Sequence, residues 1–384
     1  MMDRPLRISF VVGEASGDEL GADLMTTLKA RHSGTIEFSG LGGKAMGEAG
    51  LDQLFDIEEI AVMGISAVVG RLPAIMKRIN QTAQAIIDER PDVLFIIDSP
   101  DFTHRVAKKV RTVLPDLSVI NYICPSVWAW RPSRAKKMTG YVDHVLAILP
   151  FEPDALERLE GPSATFIGHP LGEHAVAPRA VPKKGEKRTL LVLPGSRSGE
   201  VKRLLPAFKG TIEVLSKRRS DFDIVIPAVE RQESTIRAHV KDWAVKPQVV
   251  TGNEAKKTAF AAAHAALTAS GTVCLELTMA GVPTVSTYRL DPMAKQLRPF
   301  IKAWSANLPN LILDYPAVPE FFDEFVRPNI LARHLDRLLD GTPERKAQTQ
   351  ACLTVQKIMQ QANDRPAAEK AVDVMEALLK NKMT

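Results

Sequence analysis

Residues 264–289 alternate between apolar runs and small residues in an order that restricts the fold more than any other part of the chain. Residues 265–269 are an apolar run of strand length, and the small residues 270–272 interrupt it. Residues 272–280 have the length and composition of a helix, and residues 284–288 form a second strand-like run. This order predicts strand, tight turn, helix and strand, which is the repeating unit of a parallel α/β sheet.

The turn and the helix after it predict a nucleotide site. A turn without bulky side chains lets a ligand phosphate approach the backbone N–H groups at the positive end of a helix. Glu276 lies four residues after Thr272, where its carboxylate can accept hydrogen bonds from ribose hydroxyls. We predict that Ser270, Gly271 and Thr272 bind a diphosphate and that Glu276 binds a ribose.

The same alternation continues along most of the chain and predicts two doubly wound parallel sheets. Strand candidates in the first half are residues 8–12, 36–39, 93–97, 119–123 and 145–149. After a Pro- and Lys-rich stretch, those in the second half are residues 189–193, 224–226, 248–250, 265–269 and 284–288. We predict a Rossmann-like domain at residues 1–175, a second at residues 176–342 and a helical tail at residues 343–384. The two α/β domains should face a ligand cleft, and the tail should pack back on the N-terminal domain or on a partner subunit.

Charge and cysteine content limit the class of partner. The 50 Lys and Arg residues against 45 Asp and Glu residues give a formal charge of +5, which is small for a nucleic-acid binder but compatible with an anionic substrate or membrane surface. The three cysteines are far apart and form no CxxC pair, which favours a reducing cytosol over a zinc site. We see no signal peptide and no run near the ~20 apolar residues of a membrane span. We therefore expect a cytoplasmic protein that meets a membrane only at its surface.

Residues 193–197 (LPGSR) end the first strand of the second predicted domain. The turn exposes backbone donors, and the guanidinium of Arg197 can bind two phosphate oxygens at once. An ordinary strand–helix turn with a surface arginine has the same pattern. Because residues 270–276 follow a strand of the same predicted sheet, we favour a phosphate site that includes Gly195, Ser196 and Arg197.

Two glycine-rich turns follow the first two predicted strands. Residues 13–18 (GEASGD) suit a close approach of backbone to ligand, although they lack the GxGxxG spacing of a dinucleotide-binding turn. Residues 40–45 (GLGGKA) match the looser GxGxxA pattern but follow the second strand, so a dinucleotide such as NAD is the weaker interpretation. We predict that both turns shape an acceptor pocket. Its contact residues are predicted to be Gly13, Glu14, Ser16 and Gly17.

Residues 98–101 (DSPD) end a predicted strand, where catalytic groups gather in doubly wound sheets. We predict that Asp98 is a general base that takes a proton from an acceptor hydroxyl, and that Asp101 caps the next helix. A metal held by both aspartates is the weaker interpretation, because Arg197 and helix N-termini already offer positive charge to a diphosphate. We therefore predict no metal site.

Residues 125–131 (PSVWAWR) place two tryptophans beside basic residues. Tryptophan is usually core material, so burial is the simpler interpretation. The adjacent cations also suit a cleft wall that meets an anion. On that ground we assign Ser126, Trp128 and Arg131 to the acceptor.

Residues 60–79 are strongly apolar, with charges only at Arg71, Lys77 and Arg78. A pair of buried helices explains this composition. The alternative is a hydrophobic lip that admits acyl chains and rests on an anionic membrane. Its predicted contact residues are Val68, Val69 and Leu72.

Nine short motifs together carry a resemblance to a known family. They are GEASGDELGA (13–22), AVMG (61–64), IDSPDF (97–102), PSVWAWR (125–131), LPFE (149–152), FIGHP (166–170), LPGSR (193–197), ASGTVCLE (269–276) and LPN (308–310). They span nearly the whole chain and resemble the lipid-A-disaccharide synthase family of inverting glycosyltransferases. The resemblance depends on the combination, because single motifs are less specific. Many two-domain nucleotide-sugar enzymes share the helix unit with glycine and glutamate that residues 269–276 represent here.

The resemblance implies a GT-B fold, with the acceptor in the N-terminal domain and the UDP-sugar in the C-terminal domain. The implied reaction joins UDP-2,3-diacylglucosamine to 2,3-diacylglucosamine 1-phosphate and yields a β-1,6-linked lipid A disaccharide 1-phosphate and UDP, without a metal or cofactor. By the same resemblance Asp98 is the base, Arg197 is the essential arginine of the donor loop and Asn310 is the asparagine of the LPN motif. It also implies peripheral association with the cytoplasmic face of the inner membrane, and a homodimer has precedent in the family.

Two other interpretations stay open from the residues alone. One is another GT-B enzyme of UDP-N-acetylglucosamine, such as a cell-wall transferase or an epimerase. The other is a noncatalytic protein that binds a nucleotide sugar or a lipid. Residues 60–79 and 125–131 favour the lipid A enzyme over the first of these, through the resemblance.

Overall fold

The computed structural model describes residues 4–59, 65–183, 185–291, 295–296, 300–361 and 364–383. The chain divides into two compact units, which we call unit 1 (residues 1–169 and 362–384) and unit 2 (residues 170–361). Each unit contains its own parallel β-sheet with helices packed on the sheet faces. Each unit is described separately below.

Unit 1 contains seven parallel strands in the part that the structure describes. They are β1 (Leu6–Val12), β2 (Ile36–Leu41), β3 (Asp52–Gln53), β4 (Val93–Ile97), β5 (Ser118–Tyr122), β6 (His144–Ala147) and β7 (Ser163–Phe166). Their order in the sheet is β3-β2-β1-β4-β5-β6-β7. Helices cover both faces of this sheet, so its central strands are buried on both sides. The sequence of β4 is accordingly the continuous apolar run VLFII.

Helices cover both faces of this sheet. They are α1 (Ala15–Arg31), α2 (Lys44–Glu48), α3 (Ile65–Glu89), α4 (Thr103–Val113), α5 (Ser133–Met138), α6 (Glu152–Arg158) and, from the end of the chain, α14 (Ala367–Met383). Successive residues of β4 enter different cores, as the two-residue period of a strand requires. Leu94 and Ile96 lie in the core that contains residues of α3 and α4. Phe95 lies in the core that contains residues of α1 and α14, where its ring stacks on Phe10 with centroids 5.3 Å apart.

Unit 2 contains six parallel strands in its described residues. They are β8 (Arg188–Leu193), β9 (Phe222–Ala228), β10 (Gln248–Thr251), β11 (Ala265–Ala269), β12 (Thr284–Tyr288) and β13 (Glu320–Phe322), in the order β10-β9-β8-β11-β12-β13. The helices are α7 (Ser198–Arg218), α8 (Glu230–His239), α9 (Asn253–Ala262), α10 (Thr272–Met279), α11 (Leu308–Leu313), α12 (Pro328–Leu338) and α13 (Pro343–Gln361). The strand candidates predicted from sequence are all present, whereas the short edge strands β3, β7 and β13 were not predicted.

Strand register decides which turns become neighbours. In unit 1, Val12 pairs with Ile97 and Ile97 pairs with Tyr122, so the turns after β1, β4 and β5 start at one edge of the sheet. In unit 2, Leu193 pairs with Thr268, which brings the turns after β8 and β11 together. Each sheet therefore presents the turns with predicted site residues at the carboxyl ends of its strands.

The two C-terminal helices belong to different units. α13 packs in unit 2, where its Gln348 side chain accepts a hydrogen bond from the Thr284 amide (2.8 Å). α14 packs against α1 in unit 1, where Arg31 forms ion pairs with Asp373 (2.6 Å) and Glu376 (3.3 Å). The predicted fold class, two Rossmann-like α/β units with a C-terminal helical tail, is confirmed. The functional boundaries at residues 175 and 342 stay a prediction.

The apolar segment 60–79 contributes to a single long helix in its described part. α3 runs through Pro73 over 25 residues. Val68, Val69 and Leu72 lie on this helix, but their side chains are outside the described part of the structure, as are residues 60–64. The hydrophobic lip therefore stays a prediction. None of the helices in the described ranges has the length and apolar content to cross a membrane.

Candidate functional site

The turn after β1 approaches the turn after β4 at the edge of the unit 1 sheet. A Cβ atom on Gly13 would lie 2.1 Å from Cβ of Ser99, which is too close for two carbon atoms that are not bonded. A Cβ atom on Gly17 would lie 2.9 Å from Val12 and 3.1 Å from Ile97. Gly13 is therefore required for the close packing of the two turns, and Gly17 lets the start of α1 pack closely against the ends of β1 and β4. This contact brings the predicted acceptor turn against the predicted base.

Asp98 and Glu14 each accept a hydrogen bond from a serine hydroxyl on the other side of this contact. Ser16 Oγ donates to Asp98 Oδ2 (3.3 Å), and Ser99 Oγ donates to Glu14 Oε1 (3.2 Å). The Ser99 amide donates to Asp98 Oδ1 (2.7 Å). The structure thus brings together Glu14, Ser16 and Asp98, which the sequence assigned to one pocket.

The backbone at Asp98 is strained. Asp98 and Ser99 both have left-handed backbone angles, with φ of 62° and 39°. Such angles are costly for residues other than glycine and are found at functional sites, where surrounding contacts hold them. Here the Thr103 hydroxyl donates to the Asp98 carbonyl (2.7 Å) and holds the turn. The strain aims a half-buried carboxylate at the sheet edge.

Asp101 does not cap α4, so the capping prediction is wrong. The N-cap residue of α4 is Phe102, and it makes no side-chain capping bond. The Asp101 side chain is 78% exposed and forms an ion pair with Arg134 (2.7 Å). It connects the turn after β4 with the start of α5, because it lies one residue before the N-cap position of α4.

Residues 125–131 form the turn after β5, which neighbours β4. The Trp128 ring is half-buried and meets Phe151 edge-on, with centroids 5.0 Å apart. Ser126 and Arg131 are exposed, and the Arg131 guanidinium lies 5.2 Å from the centre of the Trp130 ring. The tryptophans are therefore neither core residues nor free in solvent. The three residues predicted to contact the acceptor lie on one short turn at the functional edge.

The second glycine-rich turn has an occupied helix N-terminus. Asp18 is 6% exposed, and its carboxylate accepts hydrogen bonds from the amides of Gly43 (2.7 Å), Ala45 (2.9 Å) and Met46 (3.1 Å). These amides begin α2, where a bound pyrophosphate would need them free. The carboxylate of the chain itself takes the place of the ligand anion. The turn at residues 40–45 therefore lacks the open donors of a dinucleotide site.

The turn after β8 presents Arg197 to solvent. Arg197 precedes α7 and its side chain is 78% exposed. Its guanidinium contacts Glu200 (3.2 Å), whose carboxylate also accepts the Arg197 amide (3.3 Å). Gly195 has φ of 111°, and a Cβ atom there would lie 2.7 Å from Glu200 Oε2. Glycine is thus required at Gly195, and Glu200 orients an exposed cation at the sheet edge.

The turn after β11 has an open helix N-terminus. Gly271, the N-cap residue of α10, is exposed with φ of 152°, and a Cβ atom there would meet no atom within 4 Å. Thr272 is also exposed, whereas the Ser270 hydroxyl donates to the Ala306 carbonyl (3.1 Å). The first amides of a helix have no intrahelical acceptor and carry partial positive charge. This turn can bind a phosphate group.

Glu276 lies one turn into α10 and is paired with a lysine that sequence reasoning missed. Lys256 Nζ on α9 contacts Glu276 Oε2, and the two side chains are 37% and 27% exposed. The lysine orients the carboxylate while leaving part of it accessible. Its position four residues into the preceding helix gives no sequence signal that connects it with Glu276.

Asn310 is buried inside unit 2, only 1% exposed. Its Nδ2 group donates to the Val318 carbonyl (2.9 Å) and to Glu320 Oε1 (2.8 Å), and its Oδ1 accepts the Val318 amide (2.8 Å). Glu320 also accepts the Ala306 amide (3.0 Å). Because Ala306 in turn accepts the Ser270 hydroxyl, Asn310 supports the phosphate turn through two intermediate residues.

The chemistry of the two edges differs. The unit 1 edge offers the carboxylates Asp98 and Glu14, which suit proton acceptance and binding of hydroxyl groups. The unit 2 edge offers a guanidinium and a helix N-terminus, which suit a diphosphate. Across the described ranges, no three His, Cys, Asp or Glu side chains are grouped closely enough to hold a metal ion.

Comparison with known sequences gives full-length matches. A model of the lipid-A-disaccharide synthetase family matches residues 8–374. The lipid-A-disaccharide synthase of Rhodopseudomonas palustris strain HaA2 is 43% identical over 381 residues, which cover 98% of this chain and 97% of that protein. The lipid-A-disaccharide synthase of Bradyrhizobium diazoefficiens is 41% identical over 386 residues, which cover 99% and 98%.

Comparison with solved structures gives matches to the whole fold. The glycotransferase of kitacinnamycin matches with a TM-score of 0.60 at 16% identity, covering 98% of this chain and 100% of that chain. The UDP-GlcNAc 2-epimerase from Neisseria meningitidis, solved with UDP-GlcNAc, matches with a TM-score of 0.61 at 11% identity, covering 97% and 100%. Identities this low show a shared fold, which is GT-B.

Lys256→Ala should weaken UDP binding about threefold to tenfold, because Glu276 loses the cation that orients its carboxylate. Isothermal titration calorimetry with UDP measures the change. Lys257→Ala is the matched control, since Lys257 is the next residue on α9 and pairs instead with Glu254 (2.9 Å). Equal UDP affinity for Lys256→Ala and the parent protein would remove Lys256 from the nucleotide site.

Proposed function

This chain belongs to the lipid-A-disaccharide synthase family, and from that membership we propose that its two functional edges divide the substrates between them. The protein is a glycosyltransferase that forms the lipid A disaccharide. In the proposal, residues 1–175 bind the acceptor 2,3-diacylglucosamine 1-phosphate and residues 176–342 bind the donor UDP-2,3-diacylglucosamine, with residues 343–384 as a helical tail. The products are the β-1,6-linked disaccharide 1-phosphate and UDP. The contrast between a carboxylate edge and a cationic edge is the observation that carries this division.

Asp98 is the proposed general base on the acceptor side. Within the described residues, its Oδ2 atom receives a single, long hydrogen bond from Ser16 (3.3 Å), which an acceptor hydroxyl can replace. As the acceptor 6-oxygen attacks the anomeric carbon, its proton passes to Asp98 and the bond from that carbon to the UDP oxygen breaks. Attack on the face opposite the leaving group inverts the anomeric carbon. Glu14, held through Ser99, is placed to bind a further sugar hydroxyl.

Arg197 and the start of α10 are the proposed binding groups for the diphosphate. Negative charge grows on UDP as it departs, and a preorganised guanidinium and helix N-terminus stabilise that charge. Glu276 accepts hydrogen bonds from the ribose hydroxyls while Lys256 holds its carboxylate. Gly195 and Ser196 complete the phosphate turn on the β8 side.

Asn310 is proposed to act as a positioning residue. Its amide is bonded to Val318 and Glu320, so its hydrogen-bonding groups are directed into unit 2. Loss of Asn310 would release Glu320 and through it the Ala306 carbonyl that accepts the Ser270 hydroxyl. Asn310 therefore affects donor binding through the backbone that carries the diphosphate turn.

The reaction itself provides the main test. Purified protein incubated with UDP-2,3-diacylglucosamine and 2,3-diacylglucosamine 1-phosphate should release one UDP for each disaccharide 1-phosphate formed, measured by coupled UDP assay and mass spectrometry. The rate should be unchanged by a chelator. Binding of both substrates without UDP release would favour a noncatalytic binding protein, and loss of activity with chelator would contradict the metal-independent reaction.

Asp98→Asn should lower kcat about 10²–10⁴-fold while the protein stays folded, because the amide cannot accept the acceptor proton. Steady-state UDP release measures kcat, and circular dichroism checks the fold. Asp101→Asn is the matched control, three residues away, with an exposed side chain that pairs with Arg134. Near-normal turnover of Asp98→Asn would exclude Asp98 as the base.

We further propose peripheral association with the cytoplasmic face of the inner membrane, where acylated substrates reside. Unit 2 supports this with exposed apolar residues next to a cation: Phe300 is 61% exposed, Ile301 45% and Trp304 54%, with Lys302 exposed between them. Aromatic and aliphatic side chains flanked by lysine are typical of a surface that enters the interface of an anionic bilayer. The segment continues directly into Ser305 and Ala306, which support the diphosphate turn.

Replacing Ile301 and Trp304 together by serine should lower recovery on anionic phospholipid vesicles by at least about tenfold, because two apolar side chains no longer leave water. Vesicle co-sedimentation measures recovery. Leu353→Ser is the control, since Leu353 on α13 is similarly exposed (42%). The same assay on a variant with Val68, Val69 and Leu72 replaced by aspartate tests the predicted lip. Parental recovery of both variants would contradict membrane association through these surfaces.

A further inference from the structure

A buried carboxylate lies behind the turn at residues 125–131. Glu152 is the first residue of α6 and is only 2% exposed. It follows β6, the strand next to β5, so it reaches the turn from a neighbouring element of the sheet. A buried carboxylate is costly unless hydrogen bonds satisfy it. A carboxylate buried at this place therefore needs hydrogen-bond partners that offset the cost of its burial.

Glu152 accepts three hydrogen bonds, two of them local and one from residues 125–131. Its Oε2 atom accepts the amides of Ile148 (3.2 Å) and Leu149 (3.0 Å). Its Oε1 atom accepts the indole N–H of Trp128 (3.3 Å). The Trp128 ring also meets Phe151, the residue before Glu152, edge-on. The carboxylate therefore holds Trp128 against the turn after β6 through a directional hydrogen bond.

The chain is strained just before residues 125–131 and at their end, so this turn needs such support. Ile123 has φ of 71° and Arg131 has φ of 54°, left-handed values that are costly for side chains of this size. The Ile123 end is held by Asn121, whose Nδ2 group donates to the Ile123 carbonyl (2.8 Å). The bond from Trp128 to Glu152 holds the middle of the turn.

We propose that Glu152 is a positioning residue for the acceptor, and that its ionised carboxylate orients Trp128 and through it the turn that carries Ser126 and Arg131. This inference rests on the proposed function, in which that turn contacts the acceptor. Glu152 itself touches no substrate. Its effect should appear in acceptor binding and leave donor binding unchanged.

The ionisation of Glu152 falls in the physiological range. Burial raises the pKa of Glu152 to about 7, although its hydrogen bonds from Leu149, Trp128 and Ile148 favour the charged form. Among the described residues, the titratable group that it influences is the buried Cys124 thiol, whose pKa is raised by burial and by the Glu152 charge. The thiol stays neutral where the carboxylate titrates. Protonation of Glu152 turns an acceptor atom into a donor that faces N–H groups, so the bonds to the turn weaken as pH falls through about 7.

Acceptor binding and folding stability therefore respond to pH in opposite directions. Because the folded pKa of Glu152 is raised above its ordinary value of 4.5, its contribution to stability is full at low pH and is lost as pH rises through about 7. Acceptor binding is instead strongest above pH 7, where the carboxylate is charged. A residue with only a structural role would change stability without this opposite trend in acceptor KM.

Steady-state kinetics of the full-length protein between pH 5.5 and about 8.5 form the first test. Glu152→Gln should raise the acceptor KM about tenfold above pH 7, leave the donor KM unchanged and remove the rise in acceptor KM at low pH. Trp128→Phe removes the indole N–H but keeps a ring against Phe151, and should raise the acceptor KM similarly. The double variant should be no worse than either single one. Glu157→Gln, exposed on the same helix, is the matched control.

Fluorine NMR provides a test that does not depend on activity. Incorporation of 5-fluorotryptophan labels the four tryptophans of the chain, and Trp128→Phe identifies the Trp128 resonance by its loss. That resonance should titrate with a midpoint near the Glu152 pKa of about 7, and Glu152→Gln should abolish the titration. Glu157→Gln should leave it intact.

The outcomes separate this proposal from the proposed function. Unchanged acceptor KM and pH profile in a folded Glu152→Gln variant, or additive effects of Glu152→Gln and Trp128→Phe, would overturn the positioning role. A Trp128 resonance that does not titrate would overturn it as well, even in a preparation where no UDP is released. Failure of the parent protein to release UDP while the resonance titrates as expected would count against the proposed function and leave the contact from Trp128 to Glu152 supported.

Discussion

The contact between Gly13 and Ser99 determines the geometry of the sheet edge that we propose binds the acceptor. Parallel register brings the turns after β1 and β4 to the same edge, but only the absence of a side chain at Gly13 lets them touch. The contact places the Ser99 hydroxyl on Glu14 and the Ser16 hydroxyl on Asp98. It also accompanies the left-handed backbone of Asp98 and Ser99. The catalytic proposal depends on this packing, since a shift of one turn would separate the carboxylates from their serine partners.

Carboxylates of the chain itself help to decide which helix N-terminus can bind an anion. Asp18 occupies the first amides of α2. At α10 the N-cap is Gly271, which has no side chain to compete. Because an internal carboxylate is present at far higher effective concentration than a ligand, a turn that it occupies is closed to phosphate. The GxGxxA pattern and the ASGT turn look alike in sequence, and this difference in occupancy separates them.

The sequence predicted the parts of the fold and site that depend on local patterns. Apolar runs placed the central strands, and small residues after strands marked the turns that hold Asp98, Arg197 and Ser270. Contacts between residues distant in sequence were not predictable. Lys256 on α9 meets Glu276 on α10 only in the folded chain, and Asp101 meets Arg134 only because α5 starts beside the turn after β4. The burial of Asn310 was not predictable from sequence either, because the LPN motif is the same whether its asparagine faces a ligand or the protein interior.

The two units use the same device to hold a functional turn. In unit 1, Glu152 lies after a neighbouring strand, accepts two backbone amides and binds Trp128 of the turn at residues 125–131. In unit 2, Glu320 begins an edge strand and accepts the Ala306 amide and the Asn310 side chain beside the diphosphate turn. A carboxylate can accept several hydrogen bonds in fixed directions, so it can define a turn that has no regular secondary structure. The two differ in burial and partners: Glu152 is almost fully buried and burial raises its pKa to about 7, so in our proposal the turn at residues 125–131 is the one whose geometry changes with protonation.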